Sequence, residues 1–250
     1  MEKTKIGFCF LYFVYLGTKI DFTIFLLPIF MTEFVEKLEE LRASLVTMPA
    51  DIGEADQAFY GQLLESDIKA HALRTGSKIP DFELPNVFGK MISIHDLYKN
   101  NLIVIKFYRG QWCPFCSLEL QHLQKNLQKI ENCPAKVVAI SPQTPDNSLE
   151  TVQKNKLSFE VLSDLDSKVG KLFRLVYEIP EHLNQLYKKY GVDFQFFNGQ
   201  GKIQLPMPAT YVVDRQGIIV FDDIPVFADQ RQDPQSLVNF LQTNFRNNQK

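Results

Sequence analysis

The stretch LIVIKFYRGQWCPFCSLEL, residues 102–120, decides the fold. Its first seven residues form an apolar run, which is typical of a strand buried on both faces of a sheet. A Cys-x-x-Cys motif follows, and the spacing of apolar residues then predicts a helix over 114–130. Cys113 suits the N-cap of that helix, and Pro114 suits its first turn. We therefore predict a buried strand that leads through two cysteines directly into a helix.

The remainder of this half of the chain alternates between strands and helices. Strands are predicted at 136–141 and 159–164, and an antiparallel pair is predicted on either side of a turn at Arg215–Gly217. Between and after them lie helical patterns, at 146–156, 166–175, 181–191 and 233–245. This order indicates an α/β fold in which a central mixed β-sheet is flanked by helices.

The chain divides into three segments that differ in their sequence patterns. Residues 1–30 are largely apolar, but Lys19 and Asp21 interrupt the run before it reaches the roughly 18–20 residues of a membrane helix. We expect this segment to be an upstream extension, with the working chain starting at Met31. A membrane anchor through residues 6–30 is the alternative. Residues 31–75 read as an N-terminal helical segment, and residues 76–250 as the α/β domain.

The N-terminal helical segment contains two amphipathic patterns. The first places Phe34, Leu38, Leu41 and Leu45 on one face, and the second runs from about 54 to 75 and ends near Gly76. Neither carries recognisable chemistry. We expect the segment to serve packing or subunit contact, and a homodimer is a possible arrangement.

Composition excludes several classes of protein. The chain has 27 basic and 29 acidic residues, a formal net charge of −2, and no basic run that would follow a nucleic-acid backbone. We therefore expect no nucleic-acid partner. Four cysteines in 250 residues are too few for a disulfide-stapled scaffold, so a reducing, cytoplasmic location fits best.

The Cys-x-x-Cys motif could bind zinc, but a structural zinc site needs about four ligands. No second close cysteine pair exists, since Cys9 and Cys133 stand apart and the four histidines are scattered. We predict no metal and no cofactor. Cys133 is expected to be a buried bystander, with a distant resolving role as the minor alternative.

The position of the pair favours reactivity. A helix N-terminus carries unpaired N–H groups and partial positive charge, which favour a thiolate over a thiol. Arg109 lies four residues before Cys113 and could add a full positive charge. The equally weighted alternative is a solvated arginine at the strand end. Trp112 is expected to shield the dithiol, with a place in the core as the alternative.

A resemblance emerges from four quoted stretches: GSKIPDFELPNVFGKMISIHDL, LIVIKFYRGQWCPFCSLEL, KVVAIS and PATYVVDRQGIIVF. Together they are similar to the peroxiredoxin (alkyl hydroperoxide reductase/thiol-specific antioxidant) family of the thioredoxin superfamily, over about residues 76–245. The resemblance implies a thioredoxin-like fold and a thiol-dependent peroxidase.

The residues around the cysteine motif resemble peroxiredoxins at some positions and thioredoxin-like proteins at others. Cys116 occupies the family's peroxide-attacking position, Cys113 stands where a threonine is usual, and Glu119 matches an acidic position. We nevertheless expect Glu119 on the helix surface. Arg109 replaces a proline, and a later arginine before the ATYVVD strand is absent. Pro208 instead matches the cis-proline of thioredoxin-like proteins, and we predict that it is cis.

Two reactions use the same pair. In the peroxidase reading, which we favour, Cys116 attacks hydrogen peroxide or an organic hydroperoxide and becomes a sulfenic acid, and Cys113 closes a disulfide. Thioredoxin, glutathione or another thiol then resets the pair. In the alternative, Cys113 attacks a protein disulfide and Cys116 resolves it. A weakly active redox sensor or partner-binding member is the non-enzymatic alternative.

Overall fold

The computed structural model describes residues 31–45, 47–199 and 201–245. It contains the five-stranded mixed sheet that the pattern predicts, with strand order β5-β4-β3-β8-β9. The strands of this sheet are β3 (Leu102–Phe107), β4 (Ala135–Ser141), β5 (Glu160–Ser163), β8 (Ala209–Val213) and β9 (Ile219–Asp223). Strands β3, β4 and β5 are parallel, whereas β8 and β9 run antiparallel to their neighbours.

Two small antiparallel pairs accompany the main sheet. One joins β1 (Glu83–Pro85) to β2 (Met91–Ser93), and the other joins β6 (Val176–Glu178) to β7 (Gln204–Pro206). The second pair was not predicted, because three-residue strands are too short to show an alternating pattern.

Ten α-helices occur in the part of the chain that the structure describes. Their bounds are α1 Glu33–Leu45, α2 Ala50–Glu65, α3 Ile68–His71, α4 Ile94–Tyr98, α5 Pro114–Glu131, α6 Pro145–Asn155, α7 Lys168–Leu172, α8 Glu181–Lys189, α9 Phe194–Asn198 and α10 Pro234–Phe245. The helices predicted from apolar spacing are all present, although one of them is divided.

The divided helix is the second one of the N-terminal segment. It was predicted as one helix to residue 75, but α2 ends at Glu65 and the short α3 follows. Asp67 lies between them with a φ of 56°, in the left-handed region that breaks a right-handed helix. Leu64, an apolar residue within the predicted helix, is exposed.

The sheet is covered on both faces. On one face, α5 and α10 bury Val104 and Val212 beneath Leu127 and Leu241. On the other face, Ile105 and Phe107 pack with residues of α7, α8 and the small sheets. Helix α1 lies outside α5, where Phe34 and Leu38 join the cluster that contains both motif cysteines. Both motif cysteines are therefore buried in a cluster to which α1 contributes.

Within the described ranges, every helix is too short or too polar to cross a lipid bilayer. Residues 6–30, on which the anchor alternative depends, fall outside those ranges, so that alternative stays a prediction.

Candidate active site

The two cysteines lie at the junction of β3 and α5. Cys113 is the N-cap of α5, with extended backbone, and its carbonyl accepts the first helical hydrogen bond from Ser117 N–H at 3.1 Å. Its own N–H donates to the carbonyl of Gly110 at 3.1 Å, which closes the loop. Cys113 and Cys116 are free thiols, and both are buried. One helical turn separates them, so they can react with each other without unfolding of the helix.

Arg109 contacts the first cysteine directly. Its Nη2 donates to Cys113 Sγ at 3.1 Å, and the residue is only 4% exposed. Of the two alternatives for Arg109, the solvated arginine is therefore wrong, and the residue is a buried cation beside the thiol. The reason is local: the chain turns directly after Arg109, where Cys113 N–H donates to the carbonyl of Gly110, and this turn brings Cys113 back beside the guanidinium.

The surroundings of the two thiols shift their pKa values in opposite directions. Burial opposes ionisation of Cys113, but a hydrogen bond from Cys116 and the charges of Arg109 and Arg231 outweigh it and hold the pKa of Cys113 well below its usual range. Burial raises the pKa of Cys116 well above its usual range, and the hydrogen bond to Cys113 and the charge on that sulfur raise it further. Of the two thiols, Cys113 is therefore the one whose surroundings favour the thiolate.

Trp112 lies over this cation. The guanidinium carbon of Arg109 is 5.2 Å from the centroid of the indole, within range of a cation–π interaction. The indole also packs edge-on against Phe194 at 5.0 Å, and no Cβ would fit beside it at Gly110. Trp112 thus packs against both Arg109 and the hydrophobic core.

Glu119 corrects a prediction, because it is buried rather than on the helix surface. Its carboxylate lies 2.7 Å from Lys106 Nζ and 2.7 Å from Arg231 Nε. Lys106 also donates to Thr210 Oγ1 at 3.2 Å. The helix period places Glu119 one turn beyond Cys116 on the same face, and that face is covered by β3 and the chain before α10.

Arg231 is the site residue that the sequence did not reveal. Its side chain is fully buried, and Nη1 donates to the carbonyls of Phe227 and Gln230 at 3.1 and 2.8 Å. Its charge favours the ionised form of both motif cysteines. The arginine expected just before β8 is absent, but a second cation reaches the site from the C-terminal segment. No local pattern marks Arg231, since it follows an irregular loop.

Pro208 precedes β8 as predicted, but it is not cis, because the described residues contain no cis peptide bond. The chain passes in extended form from β7 into β8, and Met207 N–H donates to the carbonyl of Leu175 at 2.8 Å. The lower-energy trans form suits this path. Pro208 is buried, and because Ala209 pairs with Phe107, it lies at the sheet edge where the cysteine loop begins.

Cys133 and His122 lie away from the dithiol chemistry. Cys133 follows the far end of α5, about 30 Å along the helix from Cys113 at 1.5 Å per residue. It is buried in the cluster between α5 and α10, so it cannot resolve a bond at Cys113 within one molecule. His122 packs edge-on against Phe34 at 5.2 Å, and burial lowers its pKa.

A groove of about 510 Å³ opens beside the motif. One wall is α1, with Lys37, Glu40 and Leu41, and the other includes Trp112 and Pro114, which flank Cys113 in the sequence. The groove therefore lies beside the buried pair, and residues next to Cys113 in the sequence, not the cysteines themselves, form its wall.

Comparison with known proteins agrees with this geometry. The family described as AhpC/TSA matches residues 75–222. A protein of Mycobacterium tuberculosis named as a peroxiredoxin is 30% identical over 152 residues, which cover 61% of this chain and 85% of that protein. A bcp-type peroxiredoxin of Buchnera aphidicola is 31% identical over 101 residues, which cover 40% of this chain and 63% of that protein.

The fold agrees as well. The crystal structure of Peroxidoxin BcpB from Mycobacterium tuberculosis superimposes with a TM-score of 0.56 at 19% identity, covering 69% of this chain and 98% of that one. At this identity the likeness concerns the fold, and it confirms the predicted thioredoxin-like architecture. The expected family is confirmed by the match over residues 75–222. This chain belongs to the AhpC/TSA family and is a peroxiredoxin-like member of the thioredoxin superfamily.

Proposed function

We propose that this chain is a thiol peroxidase that reduces hydrogen peroxide or an organic hydroperoxide through a disulfide cycle of Cys113 and Cys116. One observation carries the proposal: a buried arginine donates to Cys113 Sγ, and a second thiol lies one helical turn away. A stabilised thiolate is the form that attacks an O–O bond, and a nearby thiol is what a sulfenic acid needs in order to close a disulfide.

The order of attack follows from the electrostatics. Family position favours Cys116 as the first nucleophile, whereas Arg109, the helix N-terminus and the Cys116 hydrogen bond all stabilise a thiolate on Cys113. We therefore assign the first attack to Cys113 and the resolving role to Cys116. The high pKa of Cys116 keeps its proton in place until the sulfenic acid has formed.

The proposed peroxidase cycle has three steps. The Cys113 thiolate attacks the terminal peroxide oxygen, an S–O bond forms and the O–O bond breaks, and the departing alkoxide or hydroxide takes a proton from solvent. Cys116 sulfur then attacks Cys113 sulfur, the disulfide forms, and the hydroxyl leaves with the Cys116 proton as water. Two equivalents of an external thiol, such as thioredoxin or glutathione, reduce the disulfide. A reducing compartment such as the cytoplasm would supply them.

Substrate would reach the pair from the groove beside α1. Cys113 is 1% exposed, so Trp112 or Pro114 at the groove must shift for a peroxide to make contact.

The test uses Cys113→Ser and Cys116→Ser, with Cys133→Ser as the matched control. We expect Cys116→Ser to consume about one equivalent of peroxide and to accumulate a trappable sulfenic acid on Cys113. Cys113→Ser should consume none, and Cys133→Ser should turn over like the wild type. The reverse pattern for the first two variants would return the first attack to Cys116.

Thiol-disulfide exchange with a protein substrate is the second candidate function. A thiolate at the N-cap of a helix, one turn before a second thiol, is also the arrangement of a disulfide oxidoreductase. If all variants ignore peroxide and Cys116→Ser instead traps mixed disulfides with a protein substrate through Cys113, that function replaces the peroxidase.

A further inference from the structure

Helix α2 reaches the active site through one side chain. Tyr60 is buried, and its hydroxyl accepts a hydrogen bond from Arg109 Nη1. The other terminal nitrogen of the same guanidinium donates to Cys113 Sγ at 3.1 Å. Tyr60 Oη also lies 3.1 Å from Tyr177 Oη, on strand β6. A hydrogen-bonded series therefore runs from Tyr177 through Tyr60 and Arg109 to the sulfur.

Tyr60, the second hydrogen-bond partner of Arg109, carries no charge. In the described part of the chain, no carboxylate lies within 4.0 Å of the Arg109 guanidinium, although buried cations are normally paired. Burial raises the pKa of Tyr60 well above its usual range, so this hydroxyl stays neutral. The arginine is thus held in place without a carboxylate at ion-pair distance, and Asp56 of α2 interacts with its charge only from farther away.

A carboxylate in the place of Tyr60 would act differently. It would pair with the guanidinium, and Coulomb attraction falls as charge is neutralised, so the sulfur would lose most of the stabilisation. A residue without a hydroxyl would leave Arg109 Nη1 buried and unpaired, which is costly and favours displacement of the side chain. A tyrosine meets both requirements.

We propose that Tyr60 is a positioning residue for the Cys113 thiolate, acting through Arg109, and that the N-terminal helical segment is therefore part of the active site. Tyr60 precedes the family match at residues 75–222, so the inference concerns a feature of this chain. It rests on the proposed role of Cys113 as the nucleophile.

The test measures thiolate formation and needs no peroxide. The absorbance of thiolate near 240 nm is followed against pH in the full chain, with Cys113→Ser subtracted to isolate the Cys113 signal. Tyr60→Phe keeps the ring and removes only the hydroxyl. We expect its titration midpoint to rise by about one unit, which corresponds to about tenfold less thiolate below the midpoint.

The matched control is Tyr98→Phe. Tyr98 is as buried as Tyr60, and it has no contact with Arg109. Its hydroxyl donates a hydrogen bond to Asp81, which the substitution to Phe removes. Its midpoint should equal that of the wild type. A shift in Tyr98→Phe as large as that in Tyr60→Phe would mean a general effect of lost packing and would overturn the inference.

A double-mutant cycle identifies Arg109 as the intermediary. In the Arg109→Gln background the midpoint should already be high, and adding Tyr60→Phe should change it little, because coupled residues are not additive. Equal shifts in both backgrounds would show that Tyr60 acts by another route. If Tyr60→Phe shifts the midpoint and the wild type never consumes peroxide, the positioning role stands and the peroxidase proposal fails.

Discussion

At Cys113 the fold stabilises a negative charge in a position where burial alone would oppose it. The hydrogen bonds from Cys116 and Arg109 are made only in the native state, so the folded pKa lies below that of the unfolded chain. Between these two values the unfolded chain binds a proton that the native protein does not. Stability contributed by Cys113 is therefore fully present above the unfolded pKa and is lost as pH falls through the folded pKa.

This pH dependence of stability gives a prediction for the reduced protein. The free energy of unfolding of the wild type, minus that of Cys113→Ser, should rise with pH by up to about 1.4 kcal/mol per unit and level off near pH 8.5. Urea unfolding at a series of pH values, under a reductant, measures it. A difference that is constant from acid to neutral pH would contradict a native thiolate.

At the scale of elements, strand β3 and helix α5 are joined by charge as well as by apolar packing. Lys106 on β3 and Glu119 on α5 form a buried pair, and Arg231 adds a second cation from the chain before α10. Three separate elements therefore meet at one carboxylate. Removing the carboxylate would leave two buried cations without an anion.

We expect Glu119→Gln to lower the free energy of unfolding by about 3–5 kcal/mol, the usual cost of breaking a buried ion pair. The matched control is Glu33→Gln, since Glu33 also contacts two cations, Lys37 and Lys125, but is exposed. Exposed pairs contribute little, so that variant should unfold almost like the wild type. Denaturant titrations would compare the two. Equal losses would show that burial of Glu119 has no energetic consequence.

The elements that carry the site were predictable, and its tertiary contacts were not. The apolar run of β3 and the spacing of α5 are local signals, so the junction and the N-cap position of Cys113 were anticipated. Glu119 was expected on the surface because a charged residue on a helix is usually solvated. Its burial depends on Lys106 and Arg231, and those contacts arise only when β3, α5 and the C-terminal segment come together. Tyr60 escaped notice for the same reason.

At the scale of the whole molecule, the N-terminal helical segment is built into the domain. Phe34 and Leu38 of α1 are buried against α5, and Ile52 and Tyr60 of α2 are buried as well. Thr32 donates to Asp233 at 2.6 Å, beside the start of α10. The segment therefore connects the dithiol helix with the C-terminal helix, beyond the role of packing that its pattern suggested.

Two truncations test this arrangement. A chain of residues 31–250 should be folded in the absence of detergent and should melt like the full chain. A chain of residues 76–250 should aggregate or melt far lower, since each large buried side chain removed costs about 2–5 kcal/mol, and a domain has only about 5–15 in total. Circular dichroism melts and gel filtration compare the three proteins. If residues 31–250 aggregate and detergent rescues only the full chain, the membrane-anchor alternative takes over.

The contact between Trp112 and Arg109 has an optical consequence. Trp112 is the sole tryptophan of the chain, and its indole lies over the cation that binds Cys113. Thiolate, sulfenic acid and disulfide differ in charge and in their capacity to quench an excited indole. Tryptophan emission from this protein therefore originates beside the cation that contacts Cys113, and we expect it to report the redox state of the pair in unlabelled protein, in real time.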